Sequence, residues 1–247
     1  MSEHQPLLGV LGGLGPMSTF YFCQLLTAHT AAQRDGDHID MIISSRATTP
    51  DRTAFILGTS REDPLPVMLE EARRLTNAGA TLLVIPCNTA HYFYEGLQRE
   101  CKVPILNIIR ETVGFLKEEG ITRMGLLATE GTVGSNAYGR ICDELGMECI
   151  YPTQEEQAVI TSLIYDDIKQ GHPADVQKLM SVANSLLARG CQRLVLGCTE
   201  LSLLKPALPQ KELFTDSLEV LALCTILACG KTPVGLDSAP KEGACRL

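Results

Sequence analysis

Short apolar runs alternate along this chain with longer amphipathic stretches, the pattern of parallel strands joined by helices. Strands are predicted over Leu7 to Leu11, Met41 to Ser45, Val103 to Ile108, Met124 to Ala128 and Leu213 to Thr215, and in the runs that open at Leu82 and Arg193. Helices are predicted over Phe20 to Ala32, Pro66 to Ala78, Arg110 to Glu119, Asp175 to Arg189 and Ser217 to Cys229. A further helix starts at Thr153, where Glu156 three residues on completes a capping box. Ile160, Leu163, Ile164 and Ile168 give that helix one apolar stripe, and Gly171 ends it.

The pattern occurs twice. LLVIPCNTAH, Leu82 to His91, is echoed 111 residues later by RLVLGCTELS, Arg193 to Ser202. The echo extends upstream without a gap: Ala72, Leu75, Gly79, Leu83, Val84 and Cys87 stand against Ala183, Leu186, Gly190, Leu194, Val195 and Cys198. The opening strand and its loop, LGVLGGLGP, likewise recur as MGLLATEGT, roughly 116 residues on. The expected fold is therefore α/β, with two pseudo-symmetric domains, each a central parallel sheet flanked by helices. Residues 1–107 with 216–230 would form the lobe carrying Cys87, and 108–215 the lobe carrying Cys198. The tail, 231–247, lacks apolar periodicity and is expected to be loosely ordered. Each cysteine would sit at the carboxyl end of a strand and face the cleft between lobes, where such proteins bind ligands.

Composition narrows the chemistry. At 247 residues, with 45% hydrophobic and 20% charged residues, the chain has ample material for a core. A formal charge of -8 argues against a nucleic-acid surface but leaves room for a small anionic ligand. The ten cysteines include no CxxC pair, so zinc-ribbon and thioredoxin patterns are absent. MSEHQPLLGV does not read as a signal peptide, and no apolar run is long enough to span a bilayer. A cytoplasmic protein with reduced thiols is expected. The GGLGP loop, Gly12 to Pro16, fails the dinucleotide spacing because Ser18 follows where glycine is required. It reads instead as a loop whose backbone amides touch a small ligand. Spacing alone leaves Arg46, Arg52 and Lys169 as surface charges.

Two thiols reaching one cleft from opposite sides suit inversion of a stereocentre: one thiolate removes the α-hydrogen and the opposing thiol returns a proton to the other face. A helix start beside each cysteine could lower its pKa from about 8.5 so that both forms are available. Asn88 and Thr89 after Cys87, and Thr199 after Cys198, offer donors for a carboxylate or developing enolate. Thr129 begins the equivalent donor loop in the second lobe. His91 and Glu200 could assist proton movement, although a buried histidine is as often a structural hydrogen bonder.

At these residues the chain resembles the cofactor-independent aspartate/glutamate racemase superfamily. PCNTAH around Cys87 and GCTEL around Cys198 are similar to its two catalytic motifs; GGLGP and PDRT, Pro50 to Thr53, are similar to the aspartate racemase branch. The resemblance runs to about Gly230. It implies Cys87 and Cys198 as the two bases, with neither pyridoxal phosphate nor metal. It also implies Arg52 and Lys169 as partners of substrate carboxylates, Met17 and Thr53 as pocket residues, and a homodimer. The implied substrate is a small amino acid, most simply a dicarboxylic one. Glutamate, a broader amino-acid range, a related isomerisation of maleate or hydantoins, and a non-catalytic binding protein remain alternatives at this point.

Overall fold

A computed structural model describes residues 5–236. The first sheet holds β1 (Leu8–Gly12), β2 (Met41–Ser45), β3 (Leu82–Val84) and β4 (Ile105–Leu106), ordered β2-β1-β3-β4. The second holds β5 (Arg123–Leu127), β6 (Glu148–Ile150), β7 (Arg193–Leu196) and β8 (Phe214–Asp216), ordered β6-β5-β7-β8. Every pairing is parallel. The two sheets share one topology, so the duplication read from the sequence is a duplication of architecture.

Glycines mark the repeat at atomic scale. A Cβ on Gly9 of β1 would lie 2.5 Å from Leu83 and 3.3 Å from Leu75; one on Gly125 of β5 would lie 2.8 Å from Leu194 and 3.2 Å from Leu186. At equivalent positions the missing side chain therefore lets a helix settle closely on its sheet.

The helices are α1 (Pro16–His29), α2 (Arg52–Ile56), α3 (Leu65–Asn77), α4 (Tyr94–Glu100), α5 (Ile108–Glu118), α6 (Glu130–Gly134), α7 (Ala137–Glu144), α8 (Gln154–Ser162), α9 (Val176–Ala188), α10 (Thr199–Ser202) and α11 (Ser217–Ala228). The last one ties the lobes together. It leaves β8 of the second sheet and packs on α1, α5 and β4. Apolar apart from Glu219 and the hydroxyls of Ser217 and Thr225, it is buried along most of its length. One hydrophobic cluster consequently joins Leu8, Val10 and Leu26 to Met124, Leu126 and Tyr138 through Leu218, Leu221 and Ile226.

Several elements differ from expectation. The capping box at Thr153 is present in full, but the helix it starts runs regularly only to Ser162. A π-helical turn, Leu163–Asp167, and a 3-10 turn, Ile168–Gln170, follow before Gly171 ends the segment at positive φ. Val103 to Ile108 shrinks to the two residues of β4, because the Asn107 side chain accepts from Ile109 and Arg110 N–H and starts α5 there. The short edge strand β6 has too little alternation to be read. The tail is ordered where it begins: Ala31 N–H donates to Thr232 O and Val234 N–H to His29 O, so Lys231 to Leu236 are pinned beside α1. The rest of that expected tail lies outside the described residues. Among the described residues, eight cysteines carry free thiols. Cys224 is in a disulfide, so the expectation of wholly reduced cysteines does not hold there.

Candidate active site

Both sheets end at one cavity. Leu14, Arg52, Thr53, Cys87, Asn88, Thr89, Thr129, Tyr165, Lys169, Cys198, Thr199 and Glu200 line it, together with Asp51. Its volume is about 10 Å³, room for a single water. The lobes are closed on each other, and any ligand larger than a water enters only if they part.

Cys87 follows β3 through Ile85 and Pro86; Cys198 is the N-cap residue of α10 after β7. Ten of the eleven residues expected at the site line this cavity. The exception is Met17, 68% exposed on the first turn of α1 and outside the lining. Proline at position 16 starts the helix, and Met17 falls on its outer face.

The protonation states overturn one expectation. Both thiols are pushed up, not down. For Cys87 burial is the main cause; Arg52 pulls the other way and Glu200 adds to the rise. For Cys198 burial again leads, followed by the charge and hydrogen bond of Glu200, while Lys169 opposes them. Backbone N–H groups of Ala90 and Glu200 do favour the thiolates, as helix starts should. These are short helical segments beside buried thiols, and desolvation outweighs them.

Glu200 is the hub of the second half-site. Cys198 Sγ donates to its Oε2 at 3.0 Å, and Lys169 Nζ lies 2.9 Å from its Oε1. Burial disfavours the Lys169 ammonium, but the Glu200 carboxylate outweighs it and holds the lysine charged. Gly15 makes space for this carboxylate: a Cβ there would sit 2.5 Å from Glu200 Oε1. On the opposite wall Arg52 is locked by donating to the carbonyls of Thr49, Pro50 and Leu14. Its buried Nε has no partner among the described residues. Arg46, read as a surface charge, spans Glu70 and Glu71 at 2.6 and 2.7 Å and takes no part in the cavity.

Polar side chains next to the thiols face the other lobe. Tyr138 O–H donates to Asn88 Oδ1 at 2.7 Å, and Asn88 Nδ2 donates to Ser217 Oγ, which in turn donates to Leu196 O. Residues beside both cysteines are thereby linked through the start of α11. The hydroxyls of Thr89, Thr129 and Thr132 form a closed triangle with sides of 2.9, 2.9 and 3.0 Å. Asn88 and Thr89 therefore spend their side chains on contacts that cross between the lobes.

His91 is structural. Its Nε2 accepts from Ile108 N–H at 3.2 Å, so Nδ1 carries the hydrogen and donates to Cys87 O at 2.9 Å. Burial lowers its pKa to about 4, and it stays neutral. The glycine loop also serves packing: Gly13 N–H is taken by Thr19 Oγ1, and Gly13 at φ +83° lies against the Arg46 backbone. No group of three or more His, Cys, Asp or Glu residues among those described is placed to hold a metal ion. No described helix is long and apolar enough to cross a membrane.

Tyr165 is the residue that sequence reasoning missed. Its hydroxyl donates to Thr53 Oγ1 at 2.9 Å, and Lys169 Nζ stands 5.3 Å from its ring centre. The i, i+4 spacing of Tyr165 and Lys169 was the available signal. Tyr165 lay hidden among the apolar positions of a helix assumed to be regular.

The family model for Asp/Glu/Hydantoin racemase matches residues 11–228. The broad specificity amino-acid racemase RacX of Bacillus subtilis is 28% identical over 229 residues, covering 89% of this chain and 96% of that protein. Among solved structures, Picrophilus torridus aspartate racemase superposes with a TM-score of 0.78 at 27% identity, covering 92% of this chain and 96% of that one. Glutamate racemase from Francisella tularensis shares the fold with a TM-score of 0.62 at 15% identity, covering 96% of this chain and 86% of that one.

Proposed function

Because this chain belongs to the Asp/Glu/hydantoin racemase family, we propose that it is a cofactor-independent amino-acid racemase acting on aspartate, with Cys87 and Cys198 as its two bases. The observation that carries this reading is the cavity itself: one free thiol from each equivalent strand end, with one cation, Arg52 or Lys169, on each side.

The mechanism follows from that placement. Arg52 offers a planar fork for one carboxylate. Lys169 takes the other once that carboxylate displaces Glu200 from its ammonium. Lys169 and Arg52 are among the groups that favour a thiolate, and the charged form arises in the hydrated, open cleft, where burial does not yet oppose it. One thiolate takes the α-hydrogen as a proton, leaving the electron pair in a carbanion delocalised into the α-carboxylate. Backbone amides after Cys87 and Cys198 face that charge. The opposing thiol gives its proton to the other face, and the two cysteines exchange protonation states. For the reverse enantiomer their roles swap.

The relative in Bacillus subtilis favours a second reading, a broad amino-acid range. Two cations in so small a cavity favour a dianion. Cytoplasmic location and a homodimer complete the proposal, the first supported by the eight free thiols against the one disulfide-bonded Cys224 among the described residues and the second testable by sedimentation. Replacing Cys87 or Cys198 with Ala, and assaying L-aspartate, L-glutamate and neutral amino acids, tests it. Racemisation should fall by at least about 100-fold in either variant; a single variant that still interconverts enantiomers at the parent rate contradicts the two-base scheme.

A further inference from the structure

The geometry points to Tyr165 as a spacer that fixes the distance between the two cationic subsites and so selects the chain length of the dicarboxylate bound. This rests on the proposal that Arg52 and Lys169 each take one carboxylate of the substrate.

Tyr165 reaches both sides of the cavity. At its far end the hydroxyl donates to Thr53, the residue after Arg52, across the gap between lobes. At its near end the ring lies beneath Lys169 Nζ. The phenol thus runs from the Lys169 side of the cavity to Thr53, the chain neighbour of Arg52, so its length bears on how far the lysine wall stands from the arginine wall. The π-helical turn that contains Tyr165 is what presents it; such turns widen a helix locally and recur at functional sites.

The anchor is also chemically stable. Burial raises the Tyr165 phenol to about 12, against the pull of Thr53 and Lys169. The hydroxyl thus remains a donor throughout the working range and is no competitor for either cysteine as a base. The far end of the ring is braced as well, since Gly131 of α6 sits against Thr53: a Cβ on Gly131 would come within 2.9 Å of the Thr53 Cα. A spacer held at both ends discriminates by length, and one methylene in a confined pocket is worth roughly 10 to 200-fold.

Binding of succinate and glutarate, the four- and five-carbon dicarboxylates without an amino group, tests this by calorimetry without relying on turnover. Wild-type protein should bind succinate at least about 10-fold more tightly than glutarate. Tyr165→Leu, which keeps apolar contacts but shortens the spacer, should reduce that preference by about 10-fold or more. Equal binding of the two diacids by the wild type overturns the proposal, and so does an unchanged preference in a folded Tyr165→Leu. The wild-type arm stands even if the variant fails to fold. A protein that shows the predicted preference yet never racemises aspartate contradicts the proposed reaction and leaves the spacer in place.

Discussion

Cys198 donates its thiol hydrogen to Glu200 across 3.0 Å, so one of the two proposed bases is already engaged in the closed cavity. The carboxylate acts twice, raising the thiol and holding Lys169. Glu200→Gln keeps the shape and removes the charge. The pH at which Cys198 becomes alkylated by iodoacetamide should then move down, read by peptide mass spectrometry, while Cys87 shifts less. An unmoved Cys198 profile would mean that burial alone sets its protonation.

Closure of the lobes depends on a missing side chain. A Cβ on Gly131 meets Thr53 Oγ1 at 2.8 Å and Thr53 Cα at 2.9 Å. Gly131→Ala should therefore wedge α6 away from α2 and displace Arg52 from its working position. Misplacing a binding group by about 1 Å can cost roughly 100-fold in rate. We expect kcat/KM to fall on that scale while the unfolding temperature changes little. Normal kinetics in this variant would show that the contact can slide without consequence.

His91 ties the Cys87 carbonyl to the start of α5, and this support depends on pH. Its folded pKa of about 4 lies below the ordinary 6.5. The unfolded chain therefore binds the extra proton first, and stability falls as pH drops from 6.5 towards 4. The full effect is on the order of 3 kcal/mol. In His91→Gln this dependence is absent. Denaturant unfolding of both proteins should show wild type clearly more stable near pH 7.5, with the gap narrowing below pH 6.5. A constant gap would place the proton elsewhere.

Much of this was written in local pattern. The repeat of Cys87 and Cys198, with Gly9 answered by Gly125, carried the two-lobe architecture because strand ends and close helix contacts leave residue-type signatures. Arg52 and Lys169 were invisible to spacing, since a charge in a loop looks alike whether it faces water or a cleft; only the resemblance assigned them. Tyr165 escaped both routes. Its role depends on a wide helical turn with neither proline nor glycine to announce it, and on Thr53 arriving from the other lobe. Thiol protonation was misjudged for a related reason: helix starts are local, whereas desolvation comes from closure of the whole cleft. Met17 was placed in the pocket by the resemblance, but the first turn of α1 carries it outward.

The central claim is that two thiols on opposite faces move a proton at the α-carbon without a cofactor. Proton NMR of L-aspartate with the purified protein in deuterated, reducing buffer tests it most directly. The account predicts loss of the α-proton signal together with formation of D-aspartate, at a rate abolished in Cys87→Ala and Cys198→Ala. Retention of the α-proton in L-aspartate, or exchange that yields no D-enantiomer, would contradict it.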